Sequence, residues 1–339
     1  MWASADQARL RYLKKNQNEI RASLYSGLED AFRGEGDADL SQLGKRYILP
    51  SSYIGGPRHM QQRFQDAMAI ARRFRKVDIF MTVTANPHWE EIEHELLPGQ
   101  TSYDRPDLVA RVFQLKKKAI LEEIQTHGIF GRTVAYVYTI EFQKRGLPHM
   151  HILIFLADED KLLTPEDIDS CISAEWPDPV TQPKLFETVK RCMVHGPCGN
   201  LNPNAPCMEN GRCTKFYPKA FQPFTRMDED GFPLYRSRND GRVFMVGHSR
   251  MFEVDNRWIV PYCPYLSAKF DCHINVECAV MLRSVKYPFK YIHKGGDRAT
   301  VELDNDEIKT YIEGRYIAAS EAVWRLLHFS IHDQKPNVV

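Results

Sequence analysis

One pair of segments constrains the fold of this chain more than any other. Residues 132–143 read RTVAYVYTIEFQ, rich in β-branched and aromatic side chains, and HMHILIFL follows at 149–156 after the short turn KRGLP. Two strand-like segments joined by a tight turn predict a β-hairpin, and a hairpin implies an antiparallel sheet. The unbroken apolar run ILIFL places the second strand in the sheet interior.

The remaining segments predict helices and short strands around that sheet. Apolar side chains recur at helical spacing in residues 57–76 and 105–126, and 77–84 predicts a buried strand that stops at the turn Ala-Asn-Pro. The further expected elements are short strands near 242–262 and helices near 274–291 and 307–327. The pattern predicts an α+β fold with a central antiparallel sheet and flanking helices.

Composition divides the chain into four segments. Residues 1–46 are polar and predict a helical lead-in that is partly mobile. The main domain is expected in two parts, 47–185 and 231–339, separated by a Cys-rich insertion at 186–230. The insertion is dense in Gly, Pro and Asn and too irregular to bury a core unaided, so it needs a stabilising cross-link such as a bound metal ion.

The sequence predicts neither a membrane protein nor a secreted one. Of the 339 residues, 43% are hydrophobic and 26% charged, as in soluble globular proteins. No run approaches the roughly 18 apolar residues of a membrane span, and the start MWASADQARLRYLKK lacks the apolar core of a signal peptide. In a chain that works inside a cell, eight cysteines favour thiols or metal ligands over disulfides.

The distribution of charge is more informative than the net charge of +1. Residues 57–76 carry six Lys or Arg against one Asp, and residues 283–298 carry five against one. Local basic stripes of this kind suit a phosphate backbone, although a solvated helix face fits the same charges.

Two histidines open the second strand of the hairpin. Side chains alternate between faces along a strand, so His149 and His151 point the same way and Met150 points to the opposite face. Two imidazoles on one face of a central strand are costly to bury unless they bind something, and a divalent metal is the expected ligand. Pairing across the turn brings Glu141 near both histidines, with Gln143 as an alternate or outer group. Such a site suits Mg²⁺ or Mn²⁺ on a phosphate oxygen, whereas a histidine pair on an exposed edge strand would bind nothing.

A pair of tyrosines lies far downstream. Tyr287 and Tyr291 are four residues apart on one face of a predicted helix, and Lys290 and Lys294 repeat at the same spacing. A tyrosine hydroxyl with a pKa of about 10 is a poor nucleophile, and nearby ammonium groups and a metal favour the phenolate. Attack on DNA would leave a covalent phosphotyrosine. The alternative is that both tyrosines only pack and hydrogen-bond at the sheet edge.

The Cys-rich insertion holds a second set of candidate ligands, in the run CMVHGPCGNLNPNAPCMENGRC at 192–213. The candidate ligands of a tetrahedral Zn²⁺ site are His195, Cys198, Cys207 and Cys213. Cys192 is a spare ligand, and free thiols in a loop are the alternative. Four protein ligands leave no open position, so the expected role is structural or DNA-gripping.

Lysines beside aromatic residues follow that cluster. KFYPK places Lys215 and Lys219 next to aromatic side chains, a mixture that suits base stacking and phosphate contact on single-stranded nucleic acid. Another group of candidate ligands is expected to be small buried side chains instead: Cys263, Cys272, His273 and Cys278.

The segments EFQKRGLPHMH and YPFKYIHKGGDR together resemble the replication-initiator-like domain of Helitron transposases, whose enzymes belong to the His-hydrophobic-His endonuclease superfamily. The resemblance runs from about residue 47 to the C-terminus and includes YILPSSYIGGPRHMQQRFQDAMAIARRF, FMTVTANPHW, MVHGPCG, NRWIVPYCPYLSAKFDCHINVE and EGRYIAASEAVWRLL. It implies the antiparallel sheet of the rolling-circle initiators, with the main domain as the endonuclease.

The resemblance also implies roles for the candidate residues. His149 and His151 match the family's metal-binding histidines, and Glu141 is in the place from which related initiators supply a third ligand. Tyr287 and Tyr291 match the paired catalytic tyrosines. Thr82, Thr84 and Asn86 belong to a segment that matches the family's first strand motif, so they are expected near the site. The residues expected to contact DNA are Thr84 and Asn86 together with Lys215, Lys219 and Lys286.

Within the insertion, HGPCG is the part that resembles the family. It favours His195 over Cys192 as a zinc ligand.

The implied activity is metal-dependent nicking and joining of single-stranded DNA at transposon ends and targets, through a 5′-phosphotyrosine, in the nucleus. A helicase domain of the same polypeptide is the implied partner. The chain itself has no G-x-x-x-x-G-K-[ST] phosphate loop and predicts no ATPase. One alternative is a catalytically inactive, zinc-stabilised single-stranded DNA-binding module. Another is a metal-dependent hydrolase that uses water.

Overall fold

The computed structural model describes residues 2–20, 47–142, 146–229, 232–247, 251–279, 308, 311–312 and 317–338. The helices are α1 (Trp2–Lys15), α2 (Pro57–Phe74), α3 (Glu90–Glu93), α4 (Pro106–Gln125), α5 (Pro165–Cys171), α6 (Pro183–Cys192), α7 (Pro264–Phe270) and α8 (Ala319–Leu326). The strands are β1 (Ile79–Thr84), β2 (Thr133–Phe142), β3 (Pro148–Leu156), β4 (Met208–Glu209), β5 (Arg212–Cys213), β6 (Arg226–Met227), β7 (Pro233–Leu234), β8 (Phe244–Val246), β9 (Phe252–Val254), β10 (His273–Cys278) and β11 (His332–Lys335). Among the described helices, none combines the length and the apolar composition needed to span a bilayer.

Five strands form a wholly antiparallel sheet in the order β10–β1–β3–β2–β11. β3 is its central strand and is buried at every position, as the ILIFL run predicts. β2 and β3 form the predicted hairpin, and their register pairs Glu141 with His149. The predicted central antiparallel sheet with flanking helices is therefore confirmed.

The larger core lies on the sheet face that Met150 and Ile152 share. Helix α4 packs on this face through Phe113, and Trp324 of α8 is fully buried beside it, with the two ring centroids 6.0 Å apart. Pro106 at the first position and a stripe of apolar side chains account for α4 where the sequence predicts a helix.

The opposite sheet face is covered by apolar groups over only part of its length. Leu153 and Phe155 pack there against Ala67 and Ile70 of α2. Side chains two residues apart on a strand share a face, so the histidines of β3 continue the same face beyond the apolar cluster. The fold thus gives this face an apolar half under α2 and a polar half at the start of β3.

The predicted helical lead-in is a helix that docks on the main body. Leu10 of α1 packs with Leu49 and Tyr311 in a small apolar cluster. The hydroxyl of Tyr53 donates to the Asp6 carboxylate at 2.5 Å. These contacts stabilise α1 against the segment that precedes α2.

A separate apolar cluster builds the Cys-rich region, from Trp176 to Tyr262. It includes residues of the hairpins β4–β5 and β8–β9, and it uses residues on both sides of the insertion expected at 186–230. Met227 of the hairpin β6–β7 packs against the larger core instead. The region adjoins the sheet at β10, where the Val276 N–H donates to the Pro261 carbonyl at 3.0 Å.

Two strands differ from the sequence prediction. The helix predicted near 274–291 is wrong for its first residues, which belong to β10. Ile274, Val276 and Cys278 are buried and alternate with half-buried residues, a period of two that is typical of a strand. Edge strand β11 reads HDQK and was not predicted, because a polar strand lacks the alternation that reveals strands in a sequence.

Candidate metal centres

Four side chains from β1 and β3 begin the first candidate site, on the polar half of the sheet face. The register places Thr84 opposite His149 and Thr82 opposite His151. The Thr84 hydroxyl lies 3.3 Å from His149 Nδ1, and the Thr82 hydroxyl lies 3.0 Å from His151 Nδ1. Each threonine therefore orients its imidazole through Nδ1 and leaves Nε2 as the atom that can bind a ligand.

Glu141 joins this group from the other neighbouring strand. Its Oε2 lies 3.5 Å from His151 Nε2. Glu141 Oε1 and His149 Nε2 are both buried, and neither has a hydrogen-bond partner among the described residues. A buried polar atom without a partner costs about 1–3 kcal/mol. Two such atoms on one carboxylate and one imidazole fit a bound divalent cation.

Burial keeps His149 in the neutral form. The residue is 9% exposed, and burial, with smaller contributions from the charges of His151 and His273, lowers the pKa of His149 to about 3. A neutral imidazole is the form that binds a metal. Phe80 stacks on the second imidazole, with its ring centroid 5.9 Å from that of His151.

The second candidate site is more compact. Among the described residues, one group of His, Cys, Asp or Glu side chains places all its ligand atoms within 4.8 Å of one another, and its members are His195, Cys198, Cys207 and Cys213. These are the four predicted ligands, and Cys192 is not among them. His149, His151 and Glu141 are not part of this group, and the ring centroids of the two histidines are 6.1 Å apart.

A short hairpin shapes this Cys/His cluster. Cys207 precedes β4, Cys213 ends β5, and Asn210 and Gly211 turn the chain between them with φ of 50° and 75°. His195 Nε2 lies 3.5 Å from Cys213 Sγ, so this nitrogen is the imidazole atom that faces the thiols.

The thiols and the imidazole of the cluster suit a cation. Burial, and then the neighbouring thiols Cys213 and Cys207, raise the pKa of Cys198 to about 12. Burial also raises the pKa of Cys213, but the backbone N–H groups of Tyr217 and Lys215 outweigh it and the net shift is downward. Several buried thiols cannot ionise together without a compensating positive charge, and a bound metal ion provides one.

The N-terminal part of the chain matches a known family. Residues 1–154 match the family model described as the Helitron helicase-like domain at the N-terminus. This chain carries a Helitron-related domain. The match includes β1, β2 and most of β3, and therefore the first candidate site, and it indicates a transposase-related function. No curated protein matches the chain.

Two of the expected DNA-binding lysines lie at the Cys/His cluster, outside the residues that match the family. Lys215 and Lys219 are exposed. The Lys219 ammonium lies 5.1 Å from the ring centre of Tyr217 and 5.7 Å from that of Phe216. Phe216 is 78% exposed, which presents an aromatic face beside two cations.

The other expected DNA-binding residues in the structure make contacts within the protein. Thr84 contacts His149, as described above. Asn86 is buried: its amide donates to the Asp271 carbonyl at 2.7 Å, and its Oδ1 accepts from the His88 N–H at 2.9 Å. These bonds hold the turn after β1. The predicted residues that lie outside the described part of the chain are Gln143, Lys286, Tyr287, Lys290, Tyr291 and Lys294.

The second group of cysteines packs in the core, as expected. Cys263, Cys272 and Cys278 are buried in the larger apolar cluster. His273 Nδ1–H donates to the Cys192 carbonyl at 2.8 Å, which joins β10 to the end of α6.

Sequence reasoning missed Asn275 beside the histidines, and it missed the role of Thr82. Asn275 of β10 pairs with Thr82, and its Oδ1 is buried without a partner among the described residues. Thr82 itself was expected near the site but not as the group that orients His151. Thr-x-Thr in β1 mirrors His-x-His in β3, and that signal becomes readable only once the register of the two strands is known.

Proposed function

We propose that this Helitron-related domain is a metal-dependent endonuclease and strand transferase acting on single-stranded DNA of a rolling-circle transposon, with the fold of the His-hydrophobic-His initiators. The observation that carries the proposal is the arrangement of His149, His151 and Glu141 on adjacent central strands, with buried atoms left for a ligand. The family match supports a transposase-related role.

Mg²⁺ or Mn²⁺ would be held by His149, His151 and Glu141. When bound, the ion would supply positive charge that polarises the scissile phosphate. The chain's own contribution is orientation, since Thr82 and Thr84 hold both imidazoles through Nδ1.

Replacing Thr82 and Thr84 together by valine is expected to lower Mn²⁺ affinity about 10- to 100-fold, because the hydroxyls that orient the imidazoles are lost while the side-chain shape is kept. Calorimetric titration of the purified protein with Mn²⁺ measures this. Thr133→Val is the matched control, since the Thr133 hydroxyl donates to the Ile124 carbonyl at 3.1 Å, remote from the histidines. Equal Mn²⁺ affinities in the double variant and the control would show that the threonine hydroxyls do not orient the imidazoles for metal binding.

Tyr287 or Tyr291 is the proposed nucleophile. The phenolate oxygen bonds to phosphorus, the bond from phosphorus to the 3′ oxygen breaks, and that oxygen takes up a proton and leaves as a 3′ hydroxyl. The 5′ phosphate stays on the tyrosine, and attack by another 3′ hydroxyl reverses the step and joins the strands. Lys290 and Lys294 favour the phenolate and offset charge in the transition state.

Zn²⁺ at the Cys/His cluster would hold Lys215 and Lys219 in place for the DNA, and Lys286 would contact the backbone near the tyrosines. The aromatic face of Phe216 suits base stacking. Work on chromosomal DNA places the protein in the nucleus. The family description names a helicase-like domain. This description supports the proposal that the domain works together with a helicase in the same polypeptide.

The decisive experiment incubates the protein with end-labelled single-stranded DNA that covers the ends of the encoding element, with Mn²⁺, Mg²⁺ or EDTA. Denaturing gels show both cleavage and protein-linked DNA. We expect metal-dependent cleavage with a covalent adduct, reduced at least about 1,000-fold when Tyr287 and Tyr291 are both changed to phenylalanine. Tyr103→Phe, at a tyrosine that is 57% exposed, is the control.

The other outcomes separate the alternatives. Cleavage that survives the double tyrosine variant would indicate hydrolysis by water and overturn the phosphotyrosine step. DNA binding without cleavage in any metal would favour an inactive, zinc-stabilised binding module. The single variants identify which tyrosine cuts first.

A further inference from the structure

A cavity opens beside edge strand β11, on the sheet face that carries the histidines. Its volume is about 380 Å³, within the range of small-ligand sites. The polar groups that line it are the hydroxyls of Ser51, Ser52 and Ser330, the imidazoles of His59 and His332, the amide of Gln62 and the guanidinium of Arg63. No carboxylate is among its lining residues, so its chemistry suits an anion.

The sheet register connects this cavity to the first metal centre. His332 pairs with Thr139 on β2, and Thr139 pairs with His151 on β3. Directly paired residues in an antiparallel sheet lie on the same face. Adjacent strands are about 4.8 Å apart, so His332 lies about 10 Å from His151 along that face.

Arg63 is the cavity's strongest anion-binding group. One of its terminal nitrogens lies 3.4 Å from Asp66, a weak ion pair. Its Nε is buried and has no hydrogen-bond partner among the described residues. A guanidinium with a free buried donor beside hydroxyl groups is suited to a phosphodiester oxygen.

We propose that this cavity binds a nucleotide of the single-stranded DNA next to the scissile phosphate, with Arg63 and the serine hydroxyls on its phosphate. Ile54 and Ile331, which also line the cavity, offer the apolar surface for its sugar and base. The inference rests on the proposed function for its substrate, and it adds a subsite that fixes where the strand enters the metal centre.

The test measures binding of fluorescein-labelled (dT)12 by anisotropy, without added Mg²⁺ or Mn²⁺, over a range of salt concentrations. Arg63→Ala is expected to weaken binding about three- to tenfold and to lower the slope of log Kd against log salt by about one, as for loss of one phosphate contact. Arg63→Lys is expected to restore most of the slope, since it keeps the charge. Arg105→Ala is the matched control: Arg105 is similarly exposed and pairs with Asp107, and it precedes α4 on the other sheet face.

Photo-crosslinking gives a second readout that a folding defect cannot imitate. (dT)12 with one central 5-iododeoxyuridine is expected to crosslink peptides that contain residues 51–63 or 330–332, and thymidine monophosphate in excess is expected not to prevent it. Arg63→Ala behaving like Arg105→Ala, crosslinks confined to other peptides, or competition by the free nucleotide would overturn the proposal. Because this binding needs neither the divalent metal at the histidines nor the tyrosines, loss of cleavage with this binding intact would count against the proposed function alone.

Discussion

His149→Ala is expected to abolish divalent-metal binding at the sheet and to reduce metal-dependent DNA cleavage by at least about 100-fold. The change removes the ligand atom whose burial and lack of a partner single it out in the described structure. It also leaves Glu141 paired with a residue that cannot bind a metal. Loss of a direct ligand should exceed the 10- to 100-fold effect of losing a group that only orients one. Calorimetry with Mn²⁺ and the cleavage assay check the two parts separately.

A stability measurement distinguishes a binding role for His149 from a purely structural one. If the imidazole serves a ligand, the metal-free fold carries the cost of its buried, unpartnered Nε2. His149→Leu is then expected to raise the free energy of unfolding of the metal-free protein by about 1 kcal/mol while metal binding is lost. Urea unfolding in EDTA measures this, with His88→Leu at an exposed histidine as control. A large destabilisation by His149→Leu, with Mn²⁺ affinity retained in His149→Ala, would make the residue structural.

Much of the first candidate site could be predicted because it lies within one hairpin. Alternation along a strand places His149 and His151 on one face, and a tight turn brings Glu141 across from them, with no need for distant contacts. The Cys/His cluster was predictable for a similar reason, since its four ligands fall within 19 consecutive residues of a segment that could not form a core without a cross-link.

The other parts of the site depend on pairings that sequence spacing does not show. Thr82 contacts His151 only because β1 lies beside β3. Asn275, which pairs with Thr82, belongs to β10, where the sequence predicts a helix. The cavity at β11 joins Arg63 to Ser330, which lie far apart in the sequence, next to a polar strand without hydrophobic alternation. Tertiary packing alone creates these contacts, and no local propensity encodes them.

Cys198→Ser and Cys213→Ser are each expected to release the metal of the Cys/His cluster and to lower the stability of the Cys-rich region by at least about 3 kcal/mol. Both thiols are buried in the apolar cluster that runs from Trp176 to Tyr262, so loss of the ligands removes a cross-link from the centre of a region with little regular structure. One zinc ion per chain is expected in the wild-type protein by elemental analysis. Thermal unfolding and limited proteolysis of the variants measure the effect on the fold.

Cys192→Ser is the matched control for these variants, because Cys192 lies in the same segment but outside the group of ligand atoms. It is expected to keep its zinc, and His195→Ala is expected to lose it. If Cys192→Ser loses its zinc and His195→Ala keeps it, Cys192 is the fourth ligand and the assignment of His195 is wrong. The cluster also fixes the loop that presents Lys215, through the bond from the Lys215 N–H to Cys213 Sγ. The cysteine variants should therefore weaken single-stranded DNA binding as well. The His149 variants should leave DNA binding without added Mg²⁺ or Mn²⁺ unchanged, which separates the DNA-binding region from the catalytic metal centre.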